Sequence, residues 1–375
     1  MKTRLFFIIY TYTNGGGAES LLTTIVNNLY RTGRYDIGLM EIVHYGVKEE
    51  PVDEGIKIYP YYVREDDQDR KIKIRDVYRA WDKVISEHVP QDYDIYISFN
   101  YLLPSFLLPL DKKTVAWIHG DVYDLVNRYP NQKVMTDEID LQREAFKKAD
   151  RIVAISDITE QSLRELFPEF EDKLRVIYNG IDYERVRKMA KDEPMITLKK
   201  PAIVFVGRLD DNKNPLRMLK IFKMISDKRE DVSLYYLGSG ALADVLKEEI
   251  EKSGLTNRVL MPGYIPNPYP VISQAKALVM TSDTEGFPTV LLESISLGVP
   301  FVSTVVGGSR ILACEQTCGR TFETDEEAVG GITHFLDSDE DVVKDMCENV
   351  ISQFSVQQYM KKVEGLIKEV LQYED

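Results

Sequence analysis

Short uninterrupted apolar runs alternate with helical patterns along the whole chain, and the rhythm is played twice. The first series comprises Leu5 to Tyr10, Ile37 to Val43, Asp94 to Phe99, Thr114 to Ile118, Arg151 to Ile155 and Leu174 to Tyr178. The second comprises Ala202 to Val206, Ser233 to Leu237, Arg258 to Met261, Ala277 to Thr281 and Pro300 to Thr304. Continuous rather than alternating hydrophobicity is what parallel strands need when helices cover both faces. The pattern therefore predicts an α/β protein of two doubly wound, Rossmann-like domains. The domains are expected at 1–182 and 183–354. The intervening stretch from Asn179-Gly180-Ile181-Asp182 to Lys199-Lys200-Pro201 is read as the linker. Val356, Tyr359, Met360, Val363, Ile367 and Val370 recur at helical spacing, so the chain closes with an amphipathic helix over 355–375.

At 375 residues the length exceeds that of one growing core, which agrees with two domains. Hydrophobic residues make up 44% and charged ones 29%, so there is no compositional case for disorder. A net charge of -14 argues against nucleic acid as the main partner. Cys314, Cys318 and Cys347 form neither an even disulfide set nor a zinc pattern, and His44, His88, His119 and His334 are scattered. A reducing compartment is expected. Leu5 to Tyr10 superficially resembles a signal-peptide core, but it is short and leads into Asn14-Gly15-Gly16-Gly17, so it is read as a buried strand. No segment reaches the roughly 18 uncharged apolar residues of a membrane helix.

Several segments invite chemistry. In Glu285-Gly286-Phe287-Pro288-Thr289-Val290-Leu291-Leu292-Glu293, two carboxylates flank a glycine turn and a helix expected to begin at Pro288. The N–H groups of Thr289, Val290 and Leu291 then point out of a helix N-terminus, which suits a phosphate. Gly15-Gly16-Gly17 follows the first strand and precedes a helix, which permits close approach to an anion; the alternative is a flexible turn. In the second half, Arg208 and Lys213 follow the strand Ala202 to Val206, where open α/β sheets bind ligands; elsewhere such a pair would be surface solvation. Gly238-Ser239-Gly240-Ala241-Leu242-Ala243 matches a dinucleotide fingerprint. It is rejected as one because the next strand ends in Pro262-Gly263 without an acidic residue for the ribose, and a tight turn near a nucleotide remains compatible. His119 ends an apolar strand, where a structural role competes with contact to a substrate hydroxyl. The basic stretch from Arg70 to Lys83, with Arg70, Lys71, Lys73, Arg75 and Arg79, carries a helical apolar stripe. It reads as a solvated face over a core-packing stripe, with an interfacial membrane helix as the alternative. Tyr101 to Leu110 is either a second exposed apolar element or a buried loop.

Together Gly16-Gly17-Ala18-Glu19, Tyr178-Asn179-Gly180-Ile181-Asp182, Gly207-Arg208-Leu209 with Lys213, Pro262-Gly263-Tyr264 and the Glu285 to Glu293 element resemble glycosyltransferase family 4, retaining sugar-nucleotide transferases of GT-B fold. The order of the motifs covers nearly the whole chain. The resemblance implies two Rossmann-like domains facing a cleft, with the final helix returning to the N-terminal, acceptor-side domain and a donor domain following it. It implies roles as well. Glu293 would bind the nucleotide ribose, Arg208 and Lys213 the diphosphate, and Glu285 with Gly286 and Phe287 the donor sugar. Pro288, Thr289, Val290 and Leu291 would form the helix start at the phosphate, with Gly238 nearby and Tyr264 by the base. Gly16 and Gly17 would lie against the phosphate or sugar, and His119 would approach the reaction centre, with Glu285 the second catalytic candidate. No metal and no cofactor are expected. The donor is read as a UDP-sugar and the acceptor as a saccharide or lipid-linked saccharide. The context implied is capsule-type polysaccharide or glycolipid synthesis in the cytoplasm, at the inner face of the cell membrane through peripheral contact. A sugar-nucleotide epimerase or a phosphorylase on the same fold competes with this reading, and more distantly a solute-binding protein.

Overall fold

The computed structural model describes residues 2–13, 17–46, 51–63, 80–123, 132–314 and 317–372, the side chains of 63 and 132–137 excepted. The chain forms two compact units, Met1–Asn179 with Tyr359–Asp375, and Gly180–Gln358.

In the first unit seven parallel strands form one sheet: β1 (Thr3–Ile9), β2 (Tyr35–His44), β3 (Lys57–Val63), β4 (Ile95–Phe99), β5 (Lys113–Ile118), β6 (Arg151–Ala154) and β7 (Leu174–Val176). Their order is β3-β2-β1-β4-β5-β6-β7. Leu5 to Ile9 and the whole of β4 are buried, which accounts for their unbroken apolar runs. The second unit repeats the plan with β8 (Ala202–Val206), β9 (Ser233–Leu237), β10 (Val259–Gly263), β11 (Ala277–Met280), β12 (Phe301–Thr304) and β13 (Gly319–Phe322), in the order β10-β9-β8-β11-β12-β13. The strand order of each sheet therefore reverses once, between β1 and β4 and between β8 and β11.

Two edge strands escape the hydrophobic pattern. β3 carries Pro60 and exposed Lys57 and Ile58, and β13 is the short Gly319–Phe322. Edges need no continuous apolar run and tolerate proline. The stretch read as a linker is also different: it contains the helix Tyr183–Met189, buries Val186 and Leu198, and ties Arg187 to the Ser296 carbonyl at 2.8 Å. It is part of the second unit. Of the basic stretch, 70–79 lies outside the described residues. Val84 and Ile85 just beyond it are buried in the core of the first unit. Leu103 to Leu108 are buried too, so the segment from Tyr101 is largely buried and includes the short helix Leu103–Phe106, with only Leu110 strongly exposed.

The closing helix Val356–Gln372 buries Tyr359, Val363, Leu366, Ile367 and Val370. Its Glu369 accepts from Arg151 Nε at 2.8 Å and from Arg175 Nη2 at 2.6 Å. Arg175 first, then Arg151, holds this carboxyl below its ordinary pKa. The stabilisation is thus complete above the ordinary carboxylate range and is lost on acidification through the depressed value. Because the Arg151 side chain is only 7% exposed, Glu369→Ala is expected to cost the first unit about 2–3 kcal/mol. A lower urea midpoint for that unit checks this.

Candidate functional site

In open α/β sheets ligands bind beyond the carboxyl ends of the strands, at the point where strand order reverses. In the second unit that point lies between β8 and β11, and the loops leaving these strands are tightly joined. Asn212 Nδ2 donates to the Thr284 carbonyl at 3.1 Å, and the Asp283 N–H donates to the Asn212 carbonyl at 2.8 Å. Thr281 Oγ1 donates to the Lys213 and Asn214 carbonyls at 3.0 and 2.9 Å. Asp210 braces its own loop, accepting from the Lys213 N–H at 3.0 Å and pairing with Arg208 Nε at 3.0 Å. Asn214, in a left-handed conformation, caps the helix Pro215–Ser226 by accepting from the Arg217 N–H.

This stitching brings Lys213 onto Glu285. Its Nζ bonds Glu285 Oε1, and both side chains are largely enclosed, at 19% and 15% exposure. The two residues that sequence assigned to different ligand groups are an ion pair here. Arg208 does not join them: its side chain is 74% exposed and turned to Asp210.

The helix behind Glu285 spans Thr289–Ser296, and Pro288 is its N-cap with φ -76° and ψ 95°, so the helix begins one residue later than expected. Proline at this position lacks a capping side chain, and the helix has no side-chain cap hydrogen bond among the described residues. The Leu291 N–H turns back to the Pro288 carbonyl at 3.1 Å, which takes it out of the expected set of three outward donors. The N–H groups of Thr289 and Val290 have no intrahelical acceptor. One turn on, Glu293 is half-buried with no hydrogen-bond or ion-pair partner among the described residues. Loss of water contact pushes its carboxyl up to about 7. Phe287 points inward, 7% exposed, with its ring 6.2 Å from that of Phe354, leaving only backbone for a ligand.

The loop after β12 supports this wall. Gly307 has φ +49°, and a Cβ there would stand 2.6 Å from the Gly286 carbonyl oxygen and 2.9 Å from that of Glu285. At Gly308 it would meet the Phe287 ring at 2.2 Å. Sequence reading passed over this pair, and also over Asp210, Asn212, Thr281 and Asp283. The glycines were detectable by the reasoning applied to Gly15-Gly16-Gly17, since they too follow a strand; the polar stitches carry no local signal. Gly238 has a packing reason: a Cβ would lie 1.8 Å from the Gly207 carbonyl oxygen, where β8 and β9 exit together. Tyr264, immediately after β10, is 69% exposed.

In the first unit Gly16 lies outside the described residues, and Gly17 opens the helix Gly17–Arg31 with free space around it. The turn entering this region is held by Glu41, a fully buried carboxylate on β2. It accepts from the Tyr12 and Thr13 N–H groups at 2.6 and 2.7 Å and meets His44 Nδ1 at 2.7 Å. A carboxylate inside an apolar strand carries no functional periodicity, so Glu41 was missed. Beside it a cavity of about 380 Å³ is lined by Tyr10, Thr11, Glu19, Asn100, Tyr101 and Leu102, among others. His119 packs its ring 3.8 Å from that of Phe99, and its Nε2 is buried without a partner among the described residues. Desolvation lowers its pKa from 6.5 to about 3. The imidazole is therefore neutral and is expected to show no titration between pH 5 and 8 in NMR of the free protein; a midpoint near 6.5 would contradict its burial. Because the folded value is depressed, this group costs stability as pH falls from about 6.5 toward 3. Among the described residues no group of three or more His, Cys, Asp or Glu is placed to hold a metal ion.

Comparison with known proteins places the chain in a family and a fold. Residues 15–185 match the family model described as Glycosyltransferase Family 4, and residues 186–353 that described as Glycosyl transferases group 1. The chain is 25% identical over 256 residues to an uncharacterized glycosyltransferase of Methanocaldococcus jannaschii, covering 66% of this chain and 62% of that protein. Against the N-acetylgalactosamine-N,N'-diacetylbacillosaminyl-diphospho-undecaprenol 4-alpha-N-acetylgalactosaminyltransferase of Campylobacter jejuni it is 32% identical, over 48% of this chain and 49% of that protein. Against a second alpha-1,4-N-acetyl-D-galactosaminyltransferase of that organism, acting on a diphospho-undecaprenol-linked saccharide, it is 24% identical over 92% of each. The first two alignments thus span less than two thirds of those relatives. In fold it resembles an Anabaena protein in complex with UDP, with TM-score 0.73, 16% identity and coverage of 98% and 100%. It also resembles sucrose-phosphate synthase from Thermosynechococcus elongatus, with TM-score 0.76, 15% identity and coverage of 98% and 99%. The family models and relatives are transferases, which leaves the epimerase reading without support. Matched in succession by the two models from residue 15 to residue 353 and built as two Rossmann-like domains, the chain belongs to the glycosyltransferases of GT-B fold.

Proposed function

We propose that the protein is a retaining glycosyltransferase that moves a sugar from a UDP-sugar to a saccharide carried on a polyprenyl diphosphate, in the synthesis of a surface polysaccharide or glycolipid. The observation that carries this is Glu293: an unpartnered, water-poor carboxyl one turn inside an uncapped helix, at the strand reversal of the second unit. Such a group is costly without a ligand and is satisfied by two vicinal hydroxyls, as on a ribose. The diphosphate then falls at the helix start, with Lys213 beside it and Arg208 free to swing in from solvent. Glu285 takes hydroxyls of the donor sugar, and exposed Tyr264 stands by the base. In the first unit His119, neutral at working pH, is proposed as a hydrogen-bond partner for a hydroxyl of a saccharide ligand.

In the reaction the anomeric C–O bond to the diphosphate breaks while the acceptor hydroxyl adds to the same face, and its proton passes to the departing phosphate oxygen. Positive groups already in place at that oxygen lower the barrier where charge develops. The lipid-linked acceptor is taken from the names of the diphospho-undecaprenol-dependent relatives. A lipid-linked acceptor would be met by peripheral contact with the inner membrane face, and no helix among the described residues is long and apolar enough to cross a membrane. Neutralising Lys71, Lys73 and Arg75 should remove salt-sensitive co-sedimentation with anionic vesicles; unchanged binding would count against that basic segment as the contact.

Thermal shift and product analysis against a panel of nucleotide sugars, for wild type and Glu293→Ala, test the reading. Stabilisation of wild type by a nucleoside diphosphate, with transfer product formed, is expected, and both are expected to fail in the variant. If no nucleotide stabilises the wild type, the reading is wrong.

A further inference from the structure

In the free protein both cations of the donor site are already neutralised from within. Arg208 pairs with Asp210 at 3.0 Å but is largely in solvent and loses little by leaving. Lys213 is different. Its ammonium bonds Glu285 Oε1 where both side chains are mostly out of water. An enclosed ion pair resists having one partner taken away, because the other remains as a buried, uncompensated charge.

We propose that this pair is a counter-ion exchange through which Glu285 makes the site prefer a nucleotide sugar to the spent nucleoside diphosphate. The proposal rests on the donor-site reading above and adds to it a specificity-determining role for Glu285. A phosphate arriving at the start of the helix Thr289–Ser296 competes with the Glu285 carboxylate for Lys213 and brings further negative charge beside it. When the ligand is UDP alone, nothing replaces the ammonium at Glu285, and the displaced carboxylate is left without a partner. When a sugar is attached, its hydroxyls donate to the freed carboxylate, so Lys213 serves the phosphate and Glu285 the sugar. The cost of breaking the pair therefore falls on UDP and is relieved for the donor. Once the sugar has been transferred, Glu285 returns to Lys213 and weakens the hold on UDP.

Isothermal titration with UDP and with UDP-N-acetylgalactosamine, for wild type, Glu285→Gln, Lys213→Met and the double variant, tests this. In Glu285→Gln the affinity for UDP is expected to rise about tenfold, while that for the sugar nucleotide stays within about twofold of wild type or falls. In the Lys213→Met background the gain for UDP is expected to vanish, because there is no ammonium left to contest. If Glu285→Gln proves unfolded by circular dichroism, Glu285→Asp, which retracts the carboxylate by one methylene, carries the same prediction at smaller size. Unchanged or weaker UDP binding in the folded Glu285 variant overturns the exchange. So does a gain that persists without Lys213, which would mean simple charge repulsion. The two failures are separable: wild type that binds UDP while the variants show no gain defeats only the exchange, whereas no UDP binding by any of the proteins defeats the donor-site reading itself.

Discussion

In Glu293→Gln the free protein is expected to melt higher than wild type at pH 8, and the stabilisation by UDP is expected to shrink. The first effect follows from the carboxyl being lifted from 4.5 to about 7 by loss of water contact. That displacement corresponds to about 3 kcal/mol against the charged form. The folded state holds the proton more tightly than the unfolded one, so the penalty is absent below about pH 4.5, grows between there and about 7, and is complete above it. Glutamine fills the same space without a charge, so its advantage should be nil at pH 3.5 and several degrees of melting temperature at pH 8. The second effect has the opposite sign because ribose hydroxyls donate to the carboxylate and favour its charged form. Charge-assisted hydrogen bonds contribute about 1.5–3 kcal/mol each, so the variant should bind UDP at least about tenfold more weakly. Wild-type affinity should fall about tenfold for each pH unit below 7 as a proton competes with the ligand. A variant less stable than wild type at pH 8, with UDP binding intact, would show that Glu293 is structural.

The second large effect is expected of Gly307→Ala, at a residue far less conspicuous than the paired glutamates. A side chain there must accept φ +49°, and its Cβ must clear two backbone oxygens at 2.6 and 2.9 Å. Left-handed backbone at a non-glycine residue costs about 1–3 kcal/mol. The clash adds to this, and backbone cannot rotate away as a flexible side chain would. What gives is the Gly286 and Glu285 segment, which places Glu285 and leads into the helix of Glu293. A displacement of about 1 Å at reacting groups is worth roughly a hundredfold in rate. Turnover should therefore fall by about that factor even where the protein remains folded. Gly330→Ala is the control. It stands within the helix Asp325–Asp337 with nothing within 4 Å of its Cβ, and should stabilise by about 0.5–1 kcal/mol without affecting transfer. Comparison of kcat and melting temperature for the two substitutions checks the claim.

How much of this was visible in the chain depends on which force made each feature. Strands inside the sheets were legible because burial on two faces demands an unbroken apolar run, as in Leu5 to Ile9 and Ala202 to Val206. The edge strands β3 and β13 were not, because one free side relaxes that demand, whereas the edge strands β7 and β10 kept apolar runs and were legible. Glu285, Glu293 and Lys213 stood out through their setting at strand ends and a helix start. Their grouping did not, since Lys213 and Glu285 are 72 residues apart and meet only because β8 and β11 are neighbours. The helix start was misjudged by one residue because proline suits either side of that boundary, and only φ and ψ decide it. Gly238 shows the converse: it looked like a ligand glycine, and backbone packing against Gly207 explains it without a ligand.

The strand reversal of the second unit is proposed to hold a nucleoside diphosphate with its ribose on Glu293, and a crystal structure of the protein with UDP decides this. Both ribose hydroxyls are expected within hydrogen-bond distance of the Glu293 carboxylate, and the phosphates at the N-terminus of the helix Thr289–Ser296, within reach of Lys213. UDP bound elsewhere, or with its ribose away from Glu293, would contradict it.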